Sequence, residues 1–477
     1  MCKLFSVSND RGHALRVPLI IFLSMVVLLS GCTFVDNSTT MDDPQLSLPA
    51  DLETQEGNTP DAALTPTQAA PSVEPSVQPK ATLPQPSPTA YLDYFSTPYP
   101  ISAVKYVIPL SMRLVGEEEA VLFFELSEAR AGVLVYRTLE AQSLQQHEIQ
   151  FGTEKKRHLV RLDGLQSGQK YQSEVFLYAE GGNLEKPAFS SGEWGAVTFR
   201  TASGQEPLRV GVLGDASFGD QATITLVQQM ATYPLDFVLH SGDVADVTEQ
   251  GANPYQSYMH IFFIPFSPLL HRMPVYTVLG NHDYDRDIQL EGKPYYDYAF
   301  PGFEEADING MTSPERNQYY SFSYNNVQFL MLDSQVFFGV SGREAQEEWL
   351  DERLADPQYR FSIVVLHVSP FSSSVVHPQD GLPVRYTWTP KFAAAKVPVV
   401  FSGHYQHYER LLSEGVNYIV TGGGSSILYA KGESLPESQI YIRRTHFVLM
   451  EIYSDRIQLT AITMEGETID QLLIPLQ

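Results

Sequence analysis

One device repeats five times in this sequence and constrains the fold more than any other feature: a short apolar run ends in a side chain that can bind a metal ion. In 236–246 (DFVLHSGDVAD) the run Phe237, Val238, Leu239 is too short for a helix. Closed by Gly242-Asp243, it reads as a buried strand that stops at the rim of a sheet, where the glycine frees the backbone to turn. Residues 208–213 end in Gly214-Asp215, and 275–279 in Gly280-Asn281-His282-Asp283. Residues 363–366 end in His367, and 397–401 in Ser402-Gly403-His404-Tyr405-Gln406-His407. Gly-Asp alone is an ordinary turn signal. Five such ends ask for a common cause, because ligands of open α/β sheets collect beyond the carboxyl ends of the strands. Carboxylate oxygen and imidazole nitrogen are donors that zinc, manganese and iron accept.

Around these runs, strands alternate with helical stretches. Residues 223–232 carry apolar side chains at helical spacing, and 344–354 set Trp349, Leu350 and Leu354 as a core-facing stripe. Further strands are expected at 319–324, 327–332, 447–452 and 457–463, with a tyrosine- and acid-rich insertion at 284–317. The segment before them differs. Between 101 and 202, short alternating runs (120–125, 133–136, 158–162, 171–178, 196–201) separated by turns predict a β-sandwich of about 100 residues. The stretch Leu165-Gln166-Ser167-Gly168-Gln169-Lys170-Tyr171 resembles the corner of a fibronectin type III-like domain.

Residues 33–99 are rich in Pro, Ser and Thr without hydrophobic periodicity, a composition that cannot offset ordering entropy, and are expected to act as a tether. Lys3, Arg11 and Arg16 precede an apolar run at 17–29, then Ser30-Gly31-Cys32, the layout of an export signal. Leu29-Ser30-Gly31-Cys32 resembles a bacterial lipoprotein box, which implies a lipidated Cys32 and a membrane-anchored protein facing the periplasm or cell exterior. Both cysteines fall within the first 32 residues, so a processed chain would hold no internal disulfide. A net charge of -25 makes nucleic acid a poor partner, since phosphate-backbone affinity needs clustered Lys and Arg. The expected division is 1–32 signal, 33–99 linker, 100–203 sandwich and 207–475 catalytic domain.

The order of the strand-end motifs, followed by Tyr408-Glu409-Arg410 and by 418–424, resembles the calcineurin-like metallophosphoesterases and, among them, the purple acid phosphatases. The resemblance implies an α/β (α+β) fold, a four-layer β-sandwich preceded by an all-β sandwich. It implies two divalent or trivalent ions (Fe, Mn or Zn) bridged by Asp243. Asn281, His367 and His404 would complete one site, and Asp215 would belong to the other. His282 and His377 would contact phosphate or act as general acid, although His377 also reads as a surface-loop histidine. His240, His260, His271 and His446 read as structural.

Two departures bear on the second site. Asp246 stands where purple members carry a metal-bound tyrosine, so no charge-transfer colour is expected. The family's second histidine falls at Gln406, with His407 one place later. Side chains two apart on an extended segment point the same way and those three apart do not, so Gln406 or His407 is left as the donor and one site is expected to be weakly held. The activity implied is hydrolysis of a phosphate ester, acid-phosphatase-like, by a metal-activated water. Alternatives are a phosphodiesterase or nucleotidase with a base-stacking slot built from Tyr284, Tyr295, Tyr296 or Tyr298, and a degenerate binding module.

Overall fold

The computed structural model describes residues 94–140, 146–189, 192–247, 257–284, 294–300, 311–315 and 318–476. The expected signal, Cys32 and nearly all of the tether lie outside the described residues, as do 285–293, 301–310 and 316–317 of the insertion. No helix among the described residues is long and apolar enough to cross a membrane.

Residues 208–476 build two sheets. In the six-stranded sheet, Val275–Thr277, Phe237–His240 and Leu208–Leu213 run parallel, and His446–Ile452, Arg456–Thr463 and Thr468–Pro475 continue it antiparallel. In the eight-stranded sheet, Val327–Met331, Phe361–Val368, Val399–Gly403 and Val416–Thr421 form a parallel centre. Successive side chains on a strand point to opposite faces. Thus Phe237 and Leu239 meet Phe329, Met331 and Val365 in the core between the sheets, while Val238, Leu330 and Val364 face outward. Helix Gln221–Met230 covers the first outward face, where Leu226, Val227 and Met230 are buried. Helices Arg343–Leu354 and Leu382–Ala394 cover the second with Trp349, Leu350 and Trp388. The result is helix, sheet, sheet, helix: the four layers expected.

This layout explains why the five strand ends converge. Leu208–Leu213, Phe237–His240 and Val275–Thr277 are parallel neighbours, so their carboxyl ends share one rim. Phe361–Val368 and Val399–Gly403 are parallel neighbours in the facing sheet. The two rims lie on either side of the same inter-sheet core. Phe237 anchors that core edge-on to Tyr276 and Phe329, with ring centroids 5.5 and 5.2 Å away. Truncating so buried an aromatic ring costs about 3–5 kcal/mol.

Residues 101–200 form a separate nine-stranded sheet folded on its own core of Leu110, Met112, Phe124, Leu134, Val175 and Trp194. Its longest strand, Ile101–Val115, pairs parallel with Leu184–Phe189 at its start and antiparallel with Glu119–Leu126 further on. At the corner singled out in the sequence, the Tyr171 hydroxyl accepts the Gln166 N–H at 2.8 Å. The sandwich belongs to the same compact unit as the two sheets. Leu114 and Val121 join the inter-sheet core, the Trp194 ring meets His271 edge-on at 4.3 Å, and Thr198 N–H donates to the His271 carbonyl at 2.6 Å.

Candidate metal centre

Three of the strand ends leave their sheets through a residue with positive φ: Asp215 at 58°, Asp243 at 53° and His404 at 66°. Side-chain-bearing residues seldom adopt this conformation, and where they do the strain is held by the surroundings, most often at functional sites. The glycines beside them serve a purpose beyond turning. A Cβ on Gly242 would stand 2.5 Å from His367 Nδ1, one on Gly280 2.1 Å from Asp243 Oδ1, and one on Gly403 2.4 Å from Asp215 Oδ2. Each glycine leaves room for a side chain from a different strand end.

The side chains that meet there are poised for a cation. His367 is fully buried, and its Nδ1 lies 2.9 Å from the Ser241 carbonyl oxygen. A carbonyl only accepts, so Nδ1 carries the proton and the Nε2 lone pair faces inward. That Nε2 lies 3.1 Å from Asn281 Oδ1 and 3.4 Å from Asp243 Oδ1. His404 is arranged in the opposite sense: its Nε2 lies 3.0 Å from Asp380 Oδ2, and its Nδ1 lies 3.1 Å from the same Asn281 oxygen. Two imidazole lone pairs and an amide oxygen therefore converge with no proton among them. Such an arrangement repels itself unless an electrophile sits between the donors, and one amide oxygen, two imidazoles and a carboxylate fit a borderline dication. Asp215, Asp243 and His367 also bring their ligand atoms within 4.8 Å of one another.

Charge balance points the same way. Burial and the neighbouring Asp243 push the Asp215 carboxyl well above its usual range, although the His404 N–H, 2.9 and 3.1 Å from its oxygens, opposes this. Burial also acts to raise Asp243, but His367, His282 and the His282 N–H at 3.0 Å outweigh it and hold that carboxylate below its usual range. Burial pushes His367 down to about 4 against the pull of Asp243, which keeps it a neutral ligand. Asp283 is a clamp, not a donor. It accepts the N–H groups of Val244, Ala245 and Gly280 at 3.2, 3.2 and 2.9 Å and the Tyr258 hydroxyl at 3.2 Å, tying the Asp243 turn to the Asn281 turn.

The remaining candidates divide. His282 Nδ1 lies 3.2 Å from Asp246 Oδ1, and its Nε2 lies 4.0 Å from Asp243 Oδ2. Burial disfavours its charged form, but Asp246 and Asp243 prevail and raise it to about 9. Asp246 thus pairs with a histidine. His377 stands at the mouth, half exposed, its ring 5.0 Å from that of His404 and its Nδ1 3.3 Å from Asp380 Oδ2. Gln406 is buried, and its Oε1 has no hydrogen-bond partner among the described residues. His407 turns elsewhere: its Nε2 lies 3.1 Å from Glu409 Oε2, and its ring stacks on Tyr441 at 4.0 Å.

Sequence reasoning missed Asp380 and Tyr429. Asp380 follows His377 by three residues and bridges it to His404. Tyr429, held through its N–H to the Gln406 carbonyl at 2.8 Å, has its phenol pushed up by burial and by the charges of Asp215 and Asp243, and no local signal marks it. Of the four tyrosines expected to offer a stacking slot, Tyr284 and Tyr296 are buried in the core, whereas Tyr295 and Tyr298 are partly buried against it. Tyr284 is buried with its hydroxyl on Asp333, Tyr296 is buried against Thr277 at 2.6 Å, and Tyr298 packs under Arg157. The hydroxyls of Tyr284 and Tyr296 satisfy core polar groups and are not free to present a ring to a base.

Residues 208–408 match the family model for calcineurin-like phosphoesterases. The chain is 25% identical over 241 residues to probable purple acid phosphatase 20 of Arabidopsis thaliana, covering 50% of this chain and 52% of that one. It is 27% identical over 256 residues to purple acid phosphatase 22 of the same plant, covering 53% of each. A human serine/threonine-protein phosphatase, CPPED1, is 36% identical over 101 residues, 19% of this chain and 32% of its own. The chain spans about half the length of the two plant relatives. A purple acid phosphatase from yellow lupin seeds shares the fold, with a TM-score of 0.60 at 16% identity, over 77% of this chain and 74% of that one. Residues 208–408 therefore form a calcineurin-like metallophosphoesterase domain, in a chain related to the purple acid phosphatases.

Proposed function

We propose that this chain hydrolyses phosphate monoesters outside the cytoplasm, as a metal-dependent phosphoesterase anchored to a membrane through Cys32. The observation that carries the reading is the convergence of His367 Nε2, His404 Nδ1 and Asn281 Oδ1 beside Asp243, with every ring proton committed elsewhere. Asp243 joins that trio to Asp215, and cations bound by this set would supply Lewis acidity and an activated water for in-line attack on phosphorus. The protein's own groups do the rest. His282, kept cationic by Asp246, binds a phosphoryl oxygen, and His377 at the mouth protonates the leaving oxygen with Asp380 orienting its ring. The monoester preference rests on the likeness to acid phosphatases. Export rests on the charged, apolar and Ser30-Gly31-Cys32 regions of the leader.

Reconstitution with Mn, Zn, Fe, Co or Mg, assayed on an aryl phosphate and on its diester, tests the reading. Asp243→Asn is expected to lower kcat/KM on the monoester by about a thousandfold or more, as several kcal/mol of transition-state stabilisation are lost. Unchanged turnover in that variant would end the hydrolytic reading, and turnover of the diester alone would end the monoester assignment. Cys32→Ser is expected to move the protein from the membrane fraction to the soluble one; continued sedimentation with membranes would remove the lipid anchor.

A further inference from the structure

The half of the centre around Asp215 holds a different set of donors from the half around His367. By the resemblance this half would take a histidine and a tyrosine, but Gln406 stands at the first position and Asp246 at the second. His407 Nε2 lies 3.1 Å from Glu409 Oε2 and its ring stacks on Tyr441. Its Nδ1 is buried without a hydrogen-bond partner among the described residues, but the charge it feels is that of Glu409 and not that of Asp215 or Asp243, while Asp246 pairs with His282. What remains is oxygen. Asp215 Oδ2 and the Tyr405 carbonyl each lie 2.7 Å from where a Gly422 Cβ would stand, so the start of Gln406 runs beside Asp215. Gln406 is 4% exposed, and its Oε1 has no hydrogen-bond partner among the described residues. Ser217, two residues beyond Asp215, is 1% exposed, and its Oγ is likewise without a partner. Buried polar atoms are rarely left unsatisfied, and these two, one on a residue two places from Asp215 and the other on the segment that runs beside it, need an explanation.

We propose that these oxygens, with Asp215 and the shared Asp243, form an all-oxygen site for a hard dication of the magnesium or manganese class, beside a nitrogen-containing site that takes a zinc-class ion. Carboxylate, amide and hydroxyl oxygens favour magnesium, calcium and manganese, whereas imidazole favours zinc, iron and copper. The centre is then a mixed pair in which neither ion competes well for the other's place. This inference rests on the metallophosphoesterase reading and adds to it the identity of the second ion.

The test uses the purified chain, stripped with chelator, loaded with zinc, dialysed and measured for metal content. The expected result is one zinc retained per chain, with Mn2+ then binding beside it and giving an electron paramagnetic resonance signal that excess magnesium displaces. Gln406→His is expected to raise retained zinc towards two per chain. Ser217→Ala is expected to weaken Mn2+ binding about tenfold and leave zinc unchanged. Two zinc ions of like affinity in the unmodified chain would overturn the inference and leave the hydrolase reading standing. Failure to retain any zinc, or zinc retention indifferent to Asp243→Asn, would overturn both.

Discussion

On the His367 side of Asp243, the imidazole donors are held from behind: His367 by the Ser241 carbonyl, His404 by Asp380. On the Asp215 side, the carboxylate is held by the His404 N–H, but Gln406 Oε1 and Ser217 Oγ have no hydrogen-bond partner among the described residues. Outer partners fix a ligand's tautomer and direction and raise its affinity for metal. The first half is therefore preorganised, whereas on the proposed reading an ion entering the second would have to order it. One strand-end architecture can thus build a rigid and an adaptable site side by side, provided that a single carboxylate spans both.

The largest effect on the comparison is expected from the element the two halves share. Asp283 holds the turns that carry Asp243 and Asn281, and removing it leaves the N–H groups of Val244, Ala245 and Gly280 buried without acceptors. Asp283→Ala should cost about 3 kcal/mol or more in a denaturant titration and weaken both cation sites together. Burial and Asp243 raise the Asp283 carboxyl to about 7. Asp283→Asn, which keeps an acceptor, should therefore recover part of that stability. If one cation site survived Asp283→Ala intact, the two halves would be mechanically separate, against the geometry.

The five strand ends were legible because burial and chemistry write the same pattern: an apolar run, a glycine, then a polar side chain. Other parts were not. The strand Ile101–Val115 changes register between Tyr106 and Ile108, Ile108 and Ser111, and Met112 and Leu114, so no simple alternation runs through it. The helix Leu382–Ala394 contains Pro383 and Pro390, which read as breakers, yet Pro383 sits in the first turn, where its missing N–H costs little. The alternation that separates Gln406 from His407 holds only on an extended segment. Instead, the Tyr405 N–H bonds the Gly403 carbonyl and the His407 N–H bonds the Tyr405 carbonyl, at 2.8 and 2.7 Å, and these tight turns cancel the alternation rule. Asp380 escaped notice because its partner His404 is 24 residues away.

A smaller, one-sided effect is expected at Asp380. Asp380→Asn keeps the shape but weakens the hold on the His404 Nε2 proton, and outer-partner losses of this kind cost about 10- to 100-fold in metal affinity. Zinc affinity measured by competition with a chelator should fall by that factor, while Mn2+ binding at the Asp215 side should change little. An equal loss at both sites would show that His404 orders the whole centre, erasing the contrast between its two halves.

The smallest effect is expected at His407, and its smallness is informative. Were this residue a ligand, His407→Gln would remove an ion. As the structure has it, the ring is packed on Tyr441 and bonded to Glu409, whose buried carboxylate also accepts the Ser373 N–H at 2.8 Å and the Ser438 hydroxyl at 2.6 Å. Losing one of three partners should cost about 1–2 kcal/mol of folding stability. Metal content and the Mn2+ signal should not move, since no donor has been taken from either half. A variant that folds normally but binds one ion fewer would return nitrogen to the Asp215 side, and the division between a nitrogen-containing half and an oxygen half would fail at the residue on which it depends.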